Sequence, residues 1–329
     1  MAGIGKSAAH NKKITFHAVG DTGGIKNPDY QREVAGAMKE DLNLGPDKIS
    51  SFFYHLGDVI YFNGQVMDYY DQFYEPYDHY SPPIISIPGN HDGDPIDSSQ
   101  ASLDGWVRYF MTPTPQVNPE SRDAPRVSMS LPNVYFTLLC PFVTIIGMYT
   151  NVPEHGSIDS AQQQWLTNEF ATAPKDRALI LALHHPIYSF DDHHSGSPRM
   201  ADAVQHAIND SRRVPNMVLA AHVHNYQRIE RSLFRRSITP FLVVGHGGYP
   251  HLHYLNAASG AVDAATGAKL VAANDKQHGY ATITVDARNI SGTMSTIATP
   301  KLPAEKEADK GYSYPAGLIE LPKGAVVSL

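Results

Sequence analysis

Short apolar runs recur along the chain, each rich in β-branched and aromatic residues, with longer stretches of helical spacing between them. Ile14–Val19, Ser51–Leu56 and Pro83–Ile87 read as strands. Pro28–Glu40 reads as a helix entered through a proline, whose missing N–H is no loss in a first turn. Val66–Tyr74 reads as an aromatic-rich helix, and Val134–Leu139 with Phe142–Gly147 as a hairpin turned at Pro141. Ser160–Thr172 predicts an amphipathic helix with Trp165 and Phe170 on its inner side. Ala178–Leu183 and Met217–Ala220 are wholly apolar strands. Phe241–Gly245 and Tyr280–Val285 continue the strands, and Thr293–Ile297 closes a late hairpin.

Strands that are apolar throughout have no face left for water, so they belong to a sheet covered on both sides. Their alternation with helices makes the fold class α/β, and the later strands without helices between them predict a second sheet. The proline-rich segment 93–132 reads as an excursion over the surface. Residues 1–12 and 301–329 read as loosely packed ends. Nothing in the composition marks a linker, so 1–329 reads as one domain with its core at about 13–298.

Composition removes several functions. With 42% hydrophobic and 18% charged residues among 329, the chain is not a disordered one. A net charge of −7 and the lack of any Lys/Arg stripe argue against a nucleic-acid partner. The longest apolar stretch, Val134–Tyr149, is broken by Pro141 and too short to cross a bilayer, so no membrane partner is expected. Cys140 is the single cysteine, which excludes an intramolecular disulfide. Met1–Lys6 contains no apolar core of signal-peptide length, which predicts either a cytoplasmic protein or a secreted or periplasmic one whose signal has been removed. The anomaly is 17 histidines in a chain this poor in charge.

Chemistry-bearing residues fall just past the apolar runs. Gly20-Asp21-Thr22-Gly23, Gly57-Asp58-Val59-Ile60-Tyr61, Gly89-Asn90-His91-Asp92, His184-His185-Pro186 and Ala221-His222-Val223-His224 each follow a predicted strand. Taken singly, a Gly-Asp after a strand is a turn, and His-His-Pro is a structural corner. Five in succession are a different matter, because ligands in open α/β sheets bind at the carboxyl ends of strands. Carboxylates and imidazoles without thiolates suit Zn, Fe, Mn or Ni and exclude a structural Cys-zinc site.

The ordered set G-D-x-G, G-D-x-x-Y, G-N-H-D, strand-end His and H-x-H resembles the signature of the calcineurin-like metallophosphoesterases. Gly23 stands where most branches carry a metal-binding His, and Tyr61 stands three residues beyond Asp58. That exchange is similar to the purple acid phosphatases. The resemblance implies a four-layer α-β-β-α sandwich of two packed mixed sheets. It implies that Asp21, Tyr61 and His224 hold one metal, that Asn90, His184 and His222 hold a second, and that Asp58 bridges both. His184 is preferred to His185 because the family's ligand lies two residues before the proline. A phenolate beside two carboxylates favours Fe(III) in the Tyr61 site, with divalent Fe, Zn or Mn in the other. The implied reaction is hydrolysis of small phosphorylated substrates, as an acid phosphatase acting on phosphomonoesters, with hydroxide held by the metals as nucleophile.

His91 is then expected to protonate the leaving group or contact phosphate, and His193 and His194 to clamp the phosphate. His17 and His55 read as core residues bonded to backbone, and His246, His251 and His253 remain unassigned. Ala221 departs from the family's glycine before H-x-H, a change that costs stability where the backbone is left-handed. A phosphodiesterase or nucleotide hydrolase on the same scaffold, and a non-catalytic metal-binding protein, are the competing readings.

Overall fold

The computed structural model describes residues 8, 10–45, 49–234, 237–298 and 325–328. The predicted loosely packed ends fall largely outside these residues. Two mixed sheets form the centre of the fold. The smaller has the strand order β12-β11-β1-β2-β3, and the larger β10-β8-β9-β7-β6-β5-β4-β13. In the smaller sheet, β1 (Lys13–Val19), β2 (Phe53–His55) and β3 (Ile84–Ser86) run parallel, while β11 (Gly279–Asp286) and β12 (Ile290–Thr296) are antiparallel additions. In the larger sheet, β5 (Val143–Gly147), β6 (Ala178–Ala182), β7 (Met217–Ala220) and β9 (Ser237–Val244) run parallel. Its remaining strands are β4 (Phe136–Cys140), β8 (Tyr226–Phe234), β10 (Lys269–Asn274) and β13 (Ala325–Ser328).

The layering follows from the two-residue period of a strand. In β6, Ile180 and Ala182 point into the core shared with the smaller sheet. Leu179 and Leu181 point the other way, onto the helices Ser160–Thr172 and Pro198–Ser211. In β7, Met217 and Leu219 take the inner side and Val218 and Ala220 the outer. On the smaller sheet, His17 faces the helix Asp29–Asp41, its Nε2 3.4 Å from Asp41 Oδ2, while Phe16 stacks on Phe52 at 4.8 Å. Helices thus cover the outer faces of both sheets, and the wholly apolar strands are explained.

Several expectations need correction. The aromatic segment 66–74 is not one helix. It is a 3₁₀ turn at Val66–Asp68 followed by a π turn at Tyr70–Tyr74, closed by Glu75 N–H donating to Tyr70 O at 2.9 Å. The segment 93–132 is no surface excursion. It contains a helix, Asp104–Phe110, whose Trp106, Tyr109 and Phe110 are buried at i, i+3 and i+4 spacing. Trp106 stacks on Phe110 at 4.9 Å, and Tyr109 meets Phe73 edge-on at 4.6 Å. His17 and His55 are buried, yet side chains as well as backbone hold them. His17 Nδ1 lies 3.0 Å from Tyr80 Oη, and His55 Nε2 lies 2.8 Å from Thr22 Oγ1. Cys140 is buried and free, as its apolar surroundings predict.

Candidate metal centre

The parallel strands of both sheets deliver their following loops to one place. Asp21 follows β1, Asp58 follows β2, Asn90 opens a single helical turn after β3, His184 follows β6, and His222 and His224 follow β7. The two sheets are tied there by Gly20 N–H donating to Val244 O at 2.9 Å, and Tyr249 N–H to Asp21 O at 3.0 Å. Asp21, Asp58 and His222 have φ of 55°, 52° and 67°. Non-glycine residues avoid that left-handed region unless the surroundings over-determine them. Here His222 N–H donates to Asp21 Oδ2 at 2.7 Å, and His91 N–H to Asp58 Oδ1 at 2.9 Å. Ala221 is outside the left-handed set, so its departure from glycine carries no backbone cost. Its Cβ occupies the space where Gly20 has none; a Cβ on Gly20 would lie 2.5 Å from it.

All the sequence-predicted metal ligands come together, and all are buried. Tyr61 Oη lies 3.1 Å from Asp21 Oδ1 and 3.3 Å from His224 Nε2, and the latter two are 3.7 Å apart. Asn90 Oδ1 lies 3.0 Å from both His184 Nε2 and His222 Nδ1. His184 Nε2 is 3.4 Å from Asp58 Oδ2 and 4.0 Å from Asp21 Oδ1, so it touches both groups of donors. His185, by contrast, bonds Thr150 Oγ1 through Nδ1 at 2.7 Å, and its ring packs on that of His222 at 4.3 Å.

Tautomers test whether a cation fits. His184 Nδ1 faces the Leu56 carbonyl at 2.8 Å and His224 Nδ1 the His251 carbonyl at 3.2 Å. A carbonyl only accepts, so each Nδ1 carries the proton and a neutral ring turns its Nε2 lone pair inward. For His184 that lone pair meets only acceptor oxygens. A positive charge is needed between them, either a proton or a metal ion. Donors bound to one cation at about 2.0–2.2 Å lie about 3.0–3.5 Å apart, close to the spacings seen. The donor set fits.

The charges agree. Burial opposes ionisation of Asp58, but the imidazoles of His184 and His91 overcome it and hold that carboxyl well below its usual range. Burial also opposes charging of His184, yet Asp58 and Asp21 raise it to about 9. Burial, with Asp58 beside it, pushes Asp21 well up, and burial with both carboxylates pushes Tyr61 well up. With protein charges alone, the centre recruits a proton onto His184 and resists a phenolate.

His91 sits against this cluster, its ring 4.7 Å from that of Tyr61 and its Nδ1 donating to Phe62 O at 2.9 Å. His194 is part-buried, with its ring 4.4 Å from that of His222. His193 is exposed, 4.5 Å from His194 between ring centres.

Sequence reasoning passed over the residues that aim these groups. The Gln72 side-chain amide bonds both the N–H and the C=O of Tyr61, at 2.9 and 2.8 Å. Asp92 accepts from Gly89 N–H at 2.8 Å and Val59 N–H at 3.0 Å, fixing the loops of Asn90 and Asp58. Glu154 reaches His194 Nδ1 at 3.1 Å and His222 Nε2 at 3.7 Å. Asp191 accepts from the backbone N–H groups of His193 and His194. Only Asp92, inside a quoted motif, had a local signal.

The family model for calcineurin-like phosphoesterases matches residues 14–226, well over half the chain, and the protein belongs to that family. The match takes in every strand end that carries a predicted ligand. The fold is similar to that of GAP50, the anchor in the inner membrane complex of Plasmodium, at a TM-score of 0.62 and 13% identity over 86% of this chain and 84% of that one. It is also similar to the purple acid phosphatase PPD1 from yellow lupin seeds, at a TM-score of 0.62 and 16% identity over 86% of this chain. The match covers 51% of the lupin chain, so this chain spans about half that enzyme's length. No curated protein matches in sequence. At such identities the likeness is one of fold, and the chemistry rests on the side chains.

Proposed function

We propose that the protein is a dinuclear metal-dependent phosphatase of the purple acid type, acting on small phosphomonoesters. The observation that carries this reading is the position of Tyr61 Oη, within 3.1 Å of Asp21 Oδ1 and 3.3 Å of His224 Nε2, opposite a second donor group of Asn90, His184 and His222. Asp21, Tyr61 and His224 would hold Fe(III), and Asn90, His184 and His222 a divalent Fe, Zn or Mn ion. Asp58 would lie between the two. When bound, the ions supply positive charge for phosphoryl oxygens and lower the pKa of water so that it attacks phosphorus. His91 donates Nδ1–H to the Phe62 carbonyl, and as the imidazolium it would give its Nε2 proton to the leaving oxygen and return to the neutral Nδ1–H form. His193 and His194 meet the phosphate at the rim, with Glu154 orienting His194.

An anchoring role of the kind named for the Plasmodium protein is disfavoured, because it has no need of a complete donor set around strained loops. The test is metal analysis of protein from its own host, with a panel of phosphomonoesters and diesters. Tyr61→Phe removes only the phenol oxygen. Wild type is expected to carry iron and a visible band, and Tyr61→Phe to lose the band. An iron-bearing wild type whose band survives in the variant removes Tyr61 from the centre. Faster turnover of diesters than of monoesters would move the reading to a phosphodiesterase.

A further inference from the structure

A second gathering of histidines lies at the mouth of the cleft, outside the donor set above. His193 and His194 come from the loop after β6, and His253 from the segment after β9. Their ring centres are 4.5, 4.8 and 5.2 Å apart. One candidate ligand atom from each lies within 4.8 Å of the others. Three imidazoles packed at a rim are by themselves a solvated surface. What distinguishes these is the carboxylate behind two of them.

His253 Nδ1 is 3.3 Å from Asp191 Oδ2, and His194 Nδ1 is 3.1 Å from Glu154 Oε1. Asp191 is fixed in turn. Its Oδ2 accepts from the N–H of His193 at 3.0 Å and of His194 at 2.8 Å, and its Oδ1 from Asn225 Nδ2 at 2.8 Å. For His194 the Glu154 carboxylate hydrogen-bonds Nδ1, which places the proton there and leaves the Nε2 lone pair free; beside His253 Nδ1 the Asp191 carboxylate acts by charge alone, without a hydrogen bond. The same arrangement backs metal-binding imidazoles generally. Exposure of the three residues is graded: His193 is open to solvent, while His194 and His253 side chains are 15% and 14% exposed. One ligand braced by a hydrogen bond, one beside a carboxylate and one exposed ligand thus gather at the rim.

We infer that His193, His194 and His253 form a third cation site, for Zn²⁺ or a similar divalent transition ion, and that its filling inhibits the enzyme. Three nitrogen donors suit Zn and disfavour Mg or Ca, which take oxygens. Zn–N bonds of about 2.0–2.1 Å put tetrahedral ligands about 3.4 Å apart, so the three candidate atoms, now within 4.8 Å of one another, draw together by up to about 1.4 Å through rotation of the exposed His193 and of His253, whose Nδ1 no hydrogen bond holds. A water or anion completes the tetrahedron. The inhibitory half rests on the phosphatase reading: a rim ion occupies His193 and His194, the groups proposed to meet the phosphate, beside His222. Excess Zn²⁺ then competes with substrate.

The test titrates Zn²⁺ calorimetrically into protein loaded with its two resident ions, and follows turnover across the same range. Wild type is expected to take one further equivalent, with KM rising as it fills. His253→Ala should keep basal turnover and both resident ions but bind the third equivalent at least tenfold more weakly. His253→Gln, which keeps the volume, replaces it where the alanine variant melts early. No third equivalent in wild type, or unchanged binding in both variants, overturns the site. A third equivalent that leaves KM unmoved overturns the inhibitory role. A protein that turns over no phosphate ester refutes the proposed function, while the calorimetry still decides the site.

Discussion

Gln72→Leu tests how Tyr61 is aimed. The amide of Gln72 satisfies both main-chain groups of Tyr61, and the whole arrangement is buried. Leucine has a similar volume, so the change removes two hydrogen bonds and opens little space. Each buried main-chain group left unpaired costs about 1–3 kcal/mol, which makes about 2–6 kcal/mol for the pair. For a chain of this size that lowers Tm by roughly 3 °C at the small end and about 9 °C at the large end. Released Tyr61 no longer holds its hydroxyl against Asp21 and His224, so the first cation loses a ligand. The assay compares Tm, metal content and the visible spectrum of purified wild type and variant, with far-UV circular dichroism confirming the fold. The expected variant melts lower, keeps its second ion, and loses first-site metal together with the band. A lower Tm with unchanged metal and spectrum would refute the aiming role and leave Gln72 purely structural. An unchanged Tm would refute the hydrogen-bond reasoning itself.

Asp58→Asn should abolish turnover and deplete both metal sites, since a neutral amide bridges two cations poorly; two bound metals by elemental analysis together with near-normal activity would remove Asp58 from the bridge. His91→Ala should lower kcat by about 10²–10⁴-fold with metals retained, and by less for esters with good leaving groups than for alkyl phosphates. Equal losses on both ester types would show that His91 positions substrate and is not the acid. Metal-free protein should lose thermal stability as pH rises from about 6.5 to about 9. His184 is raised to about 9 in the folded state, so its contribution is full below its ordinary value and lost through the folded one. Metal loading should remove that slope, because the ion replaces the proton; a Tm–pH curve identical with and without chelator would refute this.

The parts legible in the sequence are those with short-range signals. A wholly apolar run such as Ala178–Leu183 announces a covered strand, and the Asp, Asn and His residues just past such runs announce a shared cleft. The resemblance, in which the family's ligand lies two residues before the proline, separated His184 from His185, and the structure places His184 Nε2 on Asn90 Oδ1 while His185 Nδ1 bonds Thr150 Oγ1. The strands β8 and β10 escaped notice because polar and charged residues interrupt their apolar pattern: Gln227, Arg228, Glu230 and Arg231 in β8. The helix at Asp104–Phe110 is only two turns long and sits among prolines, so its three buried aromatics made too short a period to read.

What only the tertiary structure decided is orientation. Gln72, Glu154 and His253 carry no local pattern, because each acts on a residue distant in the chain, whereas Asp191 holds the N–H groups of His193 and His194 in a local turn. Glu154 reaches His194 and His222 from a loop after β5, and His253 joins Asp191 across the mouth of the cleft. The same limit holds for electrostatics. A sequence shows that His184 exists, but the charge it carries depends on burial beside Asp58 and on the Leu56 carbonyl that fixes its tautomer. Residue type and spacing therefore specified which donors the chain offers. Packing of the two sheets decided which lone pairs face one another, and so where a cation is required.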